Sequence, residues 1–262
     1  QQAEALLERA SSAGLQPDLV TYSSVLHACA KTGNVTRAET WLDKMKECGI
    51  EPNAICYNTM IHACTVSGSE ERAEEFIRHM IEQGLEPTPR SYNTVIGMHA
   101  RTGNAAAAEA CLQKMAEAGV EANLMSYTHA LCACNKAGTP ERARSLMRQM
   151  RTNGVTPNTF CFNLLINLHA STGDLLGAAR CFTEMRFTGV LPDNISFNTA
   201  IKALAKSSDM TAVETLLEEM VKTGLKPDVV AYNAVIAACA RAKDADRAEH
   251  WMRHMLDDNL EV

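Results

Sequence analysis

The sequence predicts an all-α fold, an α-α superhelix (solenoid) of helix-turn-helix repeats, because three residue registers each recur every 35 residues. The first register is aromatic: Tyr22, Tyr57, Tyr92, Tyr127, Phe162, Phe197 and Tyr232. The second is methionine: Met45, Met80, Met115, Met150, Met185, Met220 and Met255. The third is glycine: Gly14, Gly49, Gly84, Gly119, Gly154, Gly189 and Gly224. Agreement of unrelated residue types along the whole chain indicates repeats rather than chance.

Each repeat begins with a helix, which is predicted over about residues 20–31 in the first complete repeat. Val25, Leu26 and Cys29 lie at mostly helical spacing in this segment. The sequence Thr32-Gly33-Asn34 then predicts a turn, since glycine adopts a positive φ at little cost. Gly33 also begins a second glycine register with the same 35-residue step. It continues at Gly68, Gly103, Gly138 and Gly173 and changes to Ser208 and Lys243 in the last two repeats.

A second helix follows the turn and is predicted over about residues 35–48. Its apolar stripe has residues spaced by three and four: Ala38, Trp41, Leu42 and Met45. Gly49 stands where a helix commonly ends, and Pro52 prevents its continuation. Ala122 replaces this proline in the third repeat. We expect the methionine and aromatic registers to fill the core rather than to hold a cofactor, and no cofactor is predicted.

The repeat frame sets the expected domain organisation. Residues 1–18 are predicted to be the second helix and tail of a preceding repeat. Seven repeats then span residues 19–53, 54–88, 89–123, 124–158, 159–193, 194–228 and 229–262, the last lacking one residue. One hairpin buries too little apolar surface to be stable alone, so we expect one continuous stacked domain, an excerpt of a longer array. Any targeting segment is expected outside this sequence, and no apolar run approaches the ~18 residues of a membrane span.

Charge is distributed unevenly between the two helices of a repeat. The chain has 25 Lys and Arg, 31 Asp and Glu, and a net charge of −6, which argues against a uniformly basic surface. The seven predicted first helices nevertheless contain no acidic residue. Five basic residues share one register at their ends: Lys31, Arg101, Lys136, Lys206 and Arg241. Such a row could follow the phosphates of a polyanion, or each cation could stabilise the C-terminus of its helix.

Specific segments resemble the pentatricopeptide repeat family. The segments Val20-Thr21-Tyr22-Ser23 and Val230-Ala231-Tyr232-Asn233 resemble the start of such a repeat, and Gly-Leu-Lys-Pro-Asp at 224–228 resembles its tail. The tetratricopeptide repeat differs in period, at 34 residues, and in motif. Uniform units of 35 residues resemble the P-type subclass, and the resemblance covers essentially the whole chain. It implies sequence-specific binding of single-stranded RNA, one nucleotide per repeat, without catalysis, and a location in mitochondria or chloroplasts.

The resemblance also implies which residues would read the bases. They are the residue after the aromatic and the last residue of the repeat. The pairs are Ser23 with Asn53, Asn58 with Thr88, Asn93 with Asn123, Thr128 with Asn158, Asn163 with Asp193, Asn198 with Asp228, and Asn233 without its partner. The implied code gives the site 5′-A-Y-Y-A-U-U-Y-3′. Helix capping is the alternative role for both registers, and for the tail residues both roles can hold.

A third register, two residues before the aromatic, is implied to pack between successive bases. It comprises Val20, Ile55, Arg90, Met125, Phe160, Ile195 and Val230. Arg90 departs from the usual aliphatic residue, although a guanidinium can also stack on a base.

Two further interpretations remain open on sequence alone. The chain could be a protein-binding scaffold within a ribonucleoprotein, or the recognition part of a longer RNA-processing enzyme. Neither a membrane nor a small-molecule substrate is expected. A register of Cys29, Cys64, Cys134 and Cys239 with His99 and His169 could suggest metal ligands, but a full repeat separates each from the next. We therefore expect packed thiols and no metal site.

Overall fold

The computed structural model describes residues 17–206, 210–258 and 260, and in these residues the chain is all-α. The described part contains fourteen helices: α1 Leu19–Lys31, α2 Val35–Glu47, α3 Ala54–Ser67, α4 Glu70–Glu82, α5 Pro89–Thr102, α6 Ala105–Glu117, α7 Leu124–Ala137, α8 Pro140–Thr152, α9 Thr159–Ser171, α10 Leu175–Phe187, α11 Asn194–Leu204, α12 Met210–Lys222, α13 Val229–Ala242 and α14 Ala245–Asp257. Odd-numbered helices are the first helices of repeats and even-numbered helices the second. The predicted helical-repeat fold is confirmed, and α1 and α2 match their predicted ends within one residue.

The fold comprises two compact units, which divide between Ala133 and Cys134. In the first unit, α1 packs against α3 and α3 against α5. In the second unit, α9 packs against α11 and α11 against α13. A second helix also contacts the first helix of the next repeat, as α2 contacts α3 and α10 contacts α11. Within each unit, the hairpins joined by these contacts therefore bury their apolar faces against one another, as stacked repeats do.

The repeating registers build the core. All seven methionines of the register and all seven aromatic residues are buried. The rings of Phe182 and Phe197 pack edge to face with centroids 5.0 Å apart. The complete burial of the register methionines agrees with the structural role predicted for them.

The cysteine register lies in the same core. Cys29, Cys64, Cys134 and Cys239 are buried, and so are His99 and His169. Burial raises the pKa of the Cys64 and Cys111 thiols to about 12, so both stay protonated at neutral pH. In the described part of the chain, no three His, Cys, Asp or Glu side chains are grouped to hold a metal ion. None of the helices in these ranges has the length and apolar character needed to cross a membrane.

In the six hairpin turns that the structure describes, one position has a positive φ. Gly173, for example, has φ of +81° there. Lys243 takes this position in the last repeat, and it is the non-glycine residue with positive φ among those described, at +58°. A side chain in this conformation is strained, since Cβ approaches the following carbonyl oxygen. Ser208, the other predicted substitution in this register, lies outside the described residues.

Lys243→Gly should stabilise the last hairpin by about 1 kcal/mol, because it removes the strain of a side chain at positive φ. The expected result is slower hydrogen exchange of the backbone amides in α13 and α14 and a small rise in the thermal midpoint. Gly173→Ala is the matched control. A Cβ at Gly173 meets nothing within 4 Å, so its expected destabilisation comes from the backbone alone. Unchanged exchange in Lys243→Gly would show that the turn is unstrained.

Candidate nucleic-acid interface

The residues after the aromatics lie one turn inside the first helices. Ser23, Asn58, Asn93, Thr128 and Asn198 are half-buried, and Asn233 is exposed. Asn163 is only 8% exposed, so it is less open than a row of solvent-facing readers would require. None of these seven residues is the N-cap of its own helix, because each helix begins four residues earlier. Capping therefore does not explain this polar register.

The last residue of each repeat caps the first helix of the next one. Asn53 Oδ1 accepts a hydrogen bond from the Cys56 backbone N–H at 3.1 Å, and Asp193 Oδ1 accepts one from the Ser196 backbone N–H at 2.8 Å. The same cap is made by Asn123, Asn158 and Asp228. Thr88 occupies the N-cap of α5. The capping role predicted as an alternative for these tail residues is therefore present in the structure.

The two residues that the family resemblance pairs are in direct contact in three repeats. Asn93 Nδ2 donates to Asn123 Oδ1 at 3.2 Å in the third repeat. Asn163 Nδ2 donates to Asp193 Oδ1 at 3.1 Å in the fifth, and Asn198 Nδ2 donates to Asp228 Oδ2 at 2.9 Å in the sixth. In the first repeat, Ser23 Oγ donates instead to the Leu19 carbonyl, at 2.7 Å. Each such pair can present donors and acceptors together to one ligand group.

A serine that the sequence analysis did not single out also contacts the asparagine. Ser91 Oγ donates to Asn58 Oδ1 at 2.7 Å, Ser126 Oγ to Asn93 Oδ1 at 2.6 Å, and Ser196 Oγ to Asn163 Oδ1 at 2.5 Å. All three serines are buried. Each serine belongs to the repeat that follows the one containing its asparagine, and each stands directly before an aromatic residue of the register. The signal in the sequence was a register of small side chains: Thr21, Cys56, Ser91, Ser126, Cys161, Ser196 and Ala231.

Hydrogen bonds stabilise the ionised form of the Asp193 carboxylate. Burial by itself would raise the pKa of Asp193, but bonds from the Ser196 backbone N–H, the Asn163 amide and the Ser196 hydroxyl together lower it below its ordinary value. The carboxylate is therefore charged at neutral pH and acts only as an acceptor.

Apolar side chains border the polar pairs. The packing residues Val20, Ile55, Met125, Phe160, Ile195 and Val230 are between 38% and 69% exposed, and Arg90 is also exposed. Val20 and Ile55 line a shallow pocket of about 570 Å³ together with Ser23 and Asn53. Ile55 and Arg90 line the neighbouring pocket, of about 340 Å³, with Asn58. Each pocket thus combines at least one residue that is predicted to read a base with two consecutive residues that are predicted to pack between bases.

The basic register lies on the exposed surface at the ends of the first helices. Lys31, Arg101, Lys136, Lys206 and Arg241 are all exposed. Arg101 Nη2 donates to the Thr65 carbonyl at 3.0 Å, Lys206 Nζ to the Ala170 carbonyl at 3.5 Å, and Arg241 Nε to the Ala205 carbonyl at 3.0 Å. These acceptors end the first helix of the preceding repeat. The helix-terminus role is therefore present, although the stabilised helix is the neighbour rather than the residue's own.

Family models of the pentatricopeptide repeat match most of the chain. The pentatricopeptide repeat domain matches residues 5–67, the pentatricopeptide repeat-containing protein model residues 128–255, the PPR repeat family residues 52–97, and the PPR repeat residues 90–120. No curated protein sequence matches the chain.

Solved structures share the fold. The chain aligns over 100% of its length with the pentatricopeptide repeat protein PPR10 from maize, at 22% identity and a TM-score of 0.51. It spans about half of that protein, 47% of its chain. The same maize protein in complex with an 18-nt psaJ RNA element aligns over 99% of this chain and 43% of that one, with a TM-score of 0.50 and 20% identity. The PPR domain of Arabidopsis thaliana protein-only RNase P 1, in complex with tRNA, aligns with a TM-score of 0.56 at 15% identity, over 74% of this chain and 95% of that domain.

Four family models that together cover residues 5–120 and 128–255, and a fold of repeated helical hairpins, lead to one conclusion: the chain belongs to the pentatricopeptide repeat family.

Proposed function

We propose that the chain binds single-stranded RNA through its first helices, with one nucleotide per repeat. The observation that carries the proposal is the pocket of the first repeat, which Ser23 and Asn53 line together with the exposed side chains of Val20 and Ile55. A base in this pocket would stack on the aliphatic side chains, while its edge would meet a hydroxyl and an amide. Every base has an apolar face and a polar edge, so the pocket matches that chemistry.

The arrangement of charge supports the same proposal. The segments that form the first helices carry no Asp or Glu, and the five exposed cations lie at their ends. Lys206 and Arg241 line a pocket of about 630 Å³ with Asn233 and Val230. A phosphate could approach these cations, since the carbonyl contact of an arginine uses only some of its five N–H donors. Maize PPR10, which shares the fold, was solved with an RNA element bound.

The proposed site is 5′-A-Y-Y-A-U-U-Y-3′, from the residue pairs of the seven repeats. We infer that the chain recognises RNA without cleaving it, and that processing, stabilisation or translation follows from what it recruits or protects. A location in mitochondria or chloroplasts rests on the family resemblance.

One observation favours a second candidate, a protein-binding scaffold. Leu176 and Phe187 on α10 are 77% and 91% exposed. At the place of Phe187 the other repeats have mostly charged residues: Glu47, Glu82, Glu117, Thr152, Lys222 and Asp257. Exposed apolar side chains commonly mark a protein contact. Tight binding of the AYYAUUY oligonucleotide over a scrambled control favours the RNA function, and equal weak binding of both favours the scaffold.

Selection of bound RNA from a random pool should return the proposed site. Asn198→Thr should then change the sixth base from U toward G, because a threonine beside Asp228 presents a hydroxyl in place of the amide. The control is Leu176→Ala, which alters an exposed side chain on a second helix and should leave the selected sequence unchanged. If the sixth base stays U in Asn198→Thr, the assignment of readers to bases is wrong.

Ile195→Ala should weaken RNA binding by about tenfold, because base stacking contributes about 1–3 kcal/mol per base. The side chain is mostly exposed, so the thermal midpoint should change little. Phe187→Ala is the matched control, since it removes an exposed apolar side chain from the other helix layer. Equal loss of affinity in both variants would contradict base packing by Ile195.

RNA affinity should fall with salt along a slope of about −3.5 in log K against log salt concentration, if all five cations contact phosphates at about −0.7 each. Arg101→Gln should make the slope shallower by about 0.7. An unchanged slope in this variant would assign Arg101 to helix stabilisation alone.

A further inference from the structure

The base-reading asparagine is held from two sides in the fifth repeat. Asn163 Nδ2 donates to Asp193 at 3.1 Å, and Asn163 Oδ1 accepts from Ser196 Oγ at 2.5 Å. The third repeat has the same arrangement, with Asn93 between Asn123 and Ser126. An amide bonded at both its donor and its acceptor end cannot rotate without breaking one of these bonds.

The chemistry of the partners decides which end of the Asn163 amide faces each of them. Asp193 is a carboxylate and only accepts, so it requires the N–H of Asn163. Ser196 Oγ accepts the backbone N–H of Asp193 at 3.1 Å. Its one hydrogen lies within reach of both Asp193 Oδ1, at 2.9 Å, and Asn163 Oδ1, at 2.5 Å, and the shorter contact is the one to Asn163. One N–H and one lone pair of the amide are left over. A uracil edge offers a carbonyl oxygen beside an N–H, which matches that remaining pair.

The sixth repeat has the same pair of readers but lacks the serine. Asn198 Nδ2 donates to Asp228 at 2.9 Å, as Asn163 does to Asp193. Ala231 stands in the register of Ser196, and it has no hydroxyl to donate. Asn198 Oδ1 is buried and has no hydrogen-bond partner among the described residues. The fifth and sixth repeats therefore form a natural comparison, with identical reader types and one missing contact.

We propose that Ser91, Ser126 and Ser196 are positioning residues for base recognition, each fixing the amide of the asparagine in the preceding repeat. The proposal rests on the proposed RNA binding through these asparagines. Ser196 makes the fifth repeat discriminate more strongly between bases. The Asn163 amide can exchange its oxygen and nitrogen positions toward the base only if its hydrogen bond to Ser196 breaks. Asn198 is held at one end only, so the sixth repeat discriminates less.

The test exchanges the side chains at these two positions. Affinities are measured for seven RNAs: the proposed site itself, with U at positions five and six, and the six RNAs in which one of these two bases is changed to A, C or G. Ser196→Ala should lower the preference for U at base five by about fivefold and leave base six unchanged. Ala231→Ser should raise the preference for U at base six by about fivefold and leave base five unchanged.

Two controls separate positioning from stability. Ser196 also accepts the Asp193 backbone N–H, so Ser196→Ala is expected to lower the thermal midpoint. A loss of folded protein reduces binding of every RNA by the same factor and leaves the preference between bases unchanged. Ser196→Thr keeps the hydroxyl and should restore the preference at base five; a threonine, Thr21, already occupies this register in the first repeat.

The outcomes distinguish this inference from the proposed function. If the wild-type chain prefers U at base five and Ser196→Ala keeps that preference, the positioning role is wrong and RNA recognition stands. If the wild-type chain shows no base preference at any position, the proposed function is wrong and the positioning role falls with it. A weaker preference for U at base five in Ser196→Ala, together with a stronger preference for U at base six in Ala231→Ser, supports both the positioning role and the proposed function.

Discussion

The fold and the candidate site depend on one interaction, the cap that the end of each repeat provides for the first helix of the next. The first N–H groups of a helix have no partner within the helix; Asn53 bonds two of them, and Asp193 and Asp228 bond one each. Because the cap fixes where the helix begins, it also fixes the position of the side chain five residues later. Asp193 in addition contacts Asn163 of its own repeat, so one carboxylate links the start of a helix to a proposed base-reading residue.

The sequence alone predicted the helices and the core closely, because the period has no insertion or deletion over seven repeats. Met150 and Phe162 belong to registers whose spacing requires a buried face, and both are buried. Helix ends followed from glycine and proline, which act locally through φ and through the missing N–H. Lys243 shows the strength of this local requirement, since the chain adopts a positive φ there without a glycine.

Contacts between repeats could not be predicted in the same way. Ser91 reaches Asn58 across 33 residues and Arg101 reaches the Thr65 carbonyl across 36, so neither contact coincides with the period of 35. Predicting these contacts requires knowledge of which helices are neighbours and how far each helix is shifted along its axis relative to its neighbour. The low exposure of Asn163 has the same origin, since its polar atoms bond Asp193 and Ser196 and are covered by the neighbouring repeat.

The bonds around Asn163 have a consequence for how this array is divided into exchangeable modules. The sequence boundary of the fifth repeat falls at Asp193, but the last atom that contacts the Asn163 amide belongs to Ser196, three residues into the next unit. If residues 159–193 alone were transferred to another repeat protein, the Asn163 amide would lose its contact with Ser196. The residue of the host protein at the position of Ser196 would then face this amide instead. A module that keeps the contacts of the Asn163 amide therefore has to extend at least to Ser196.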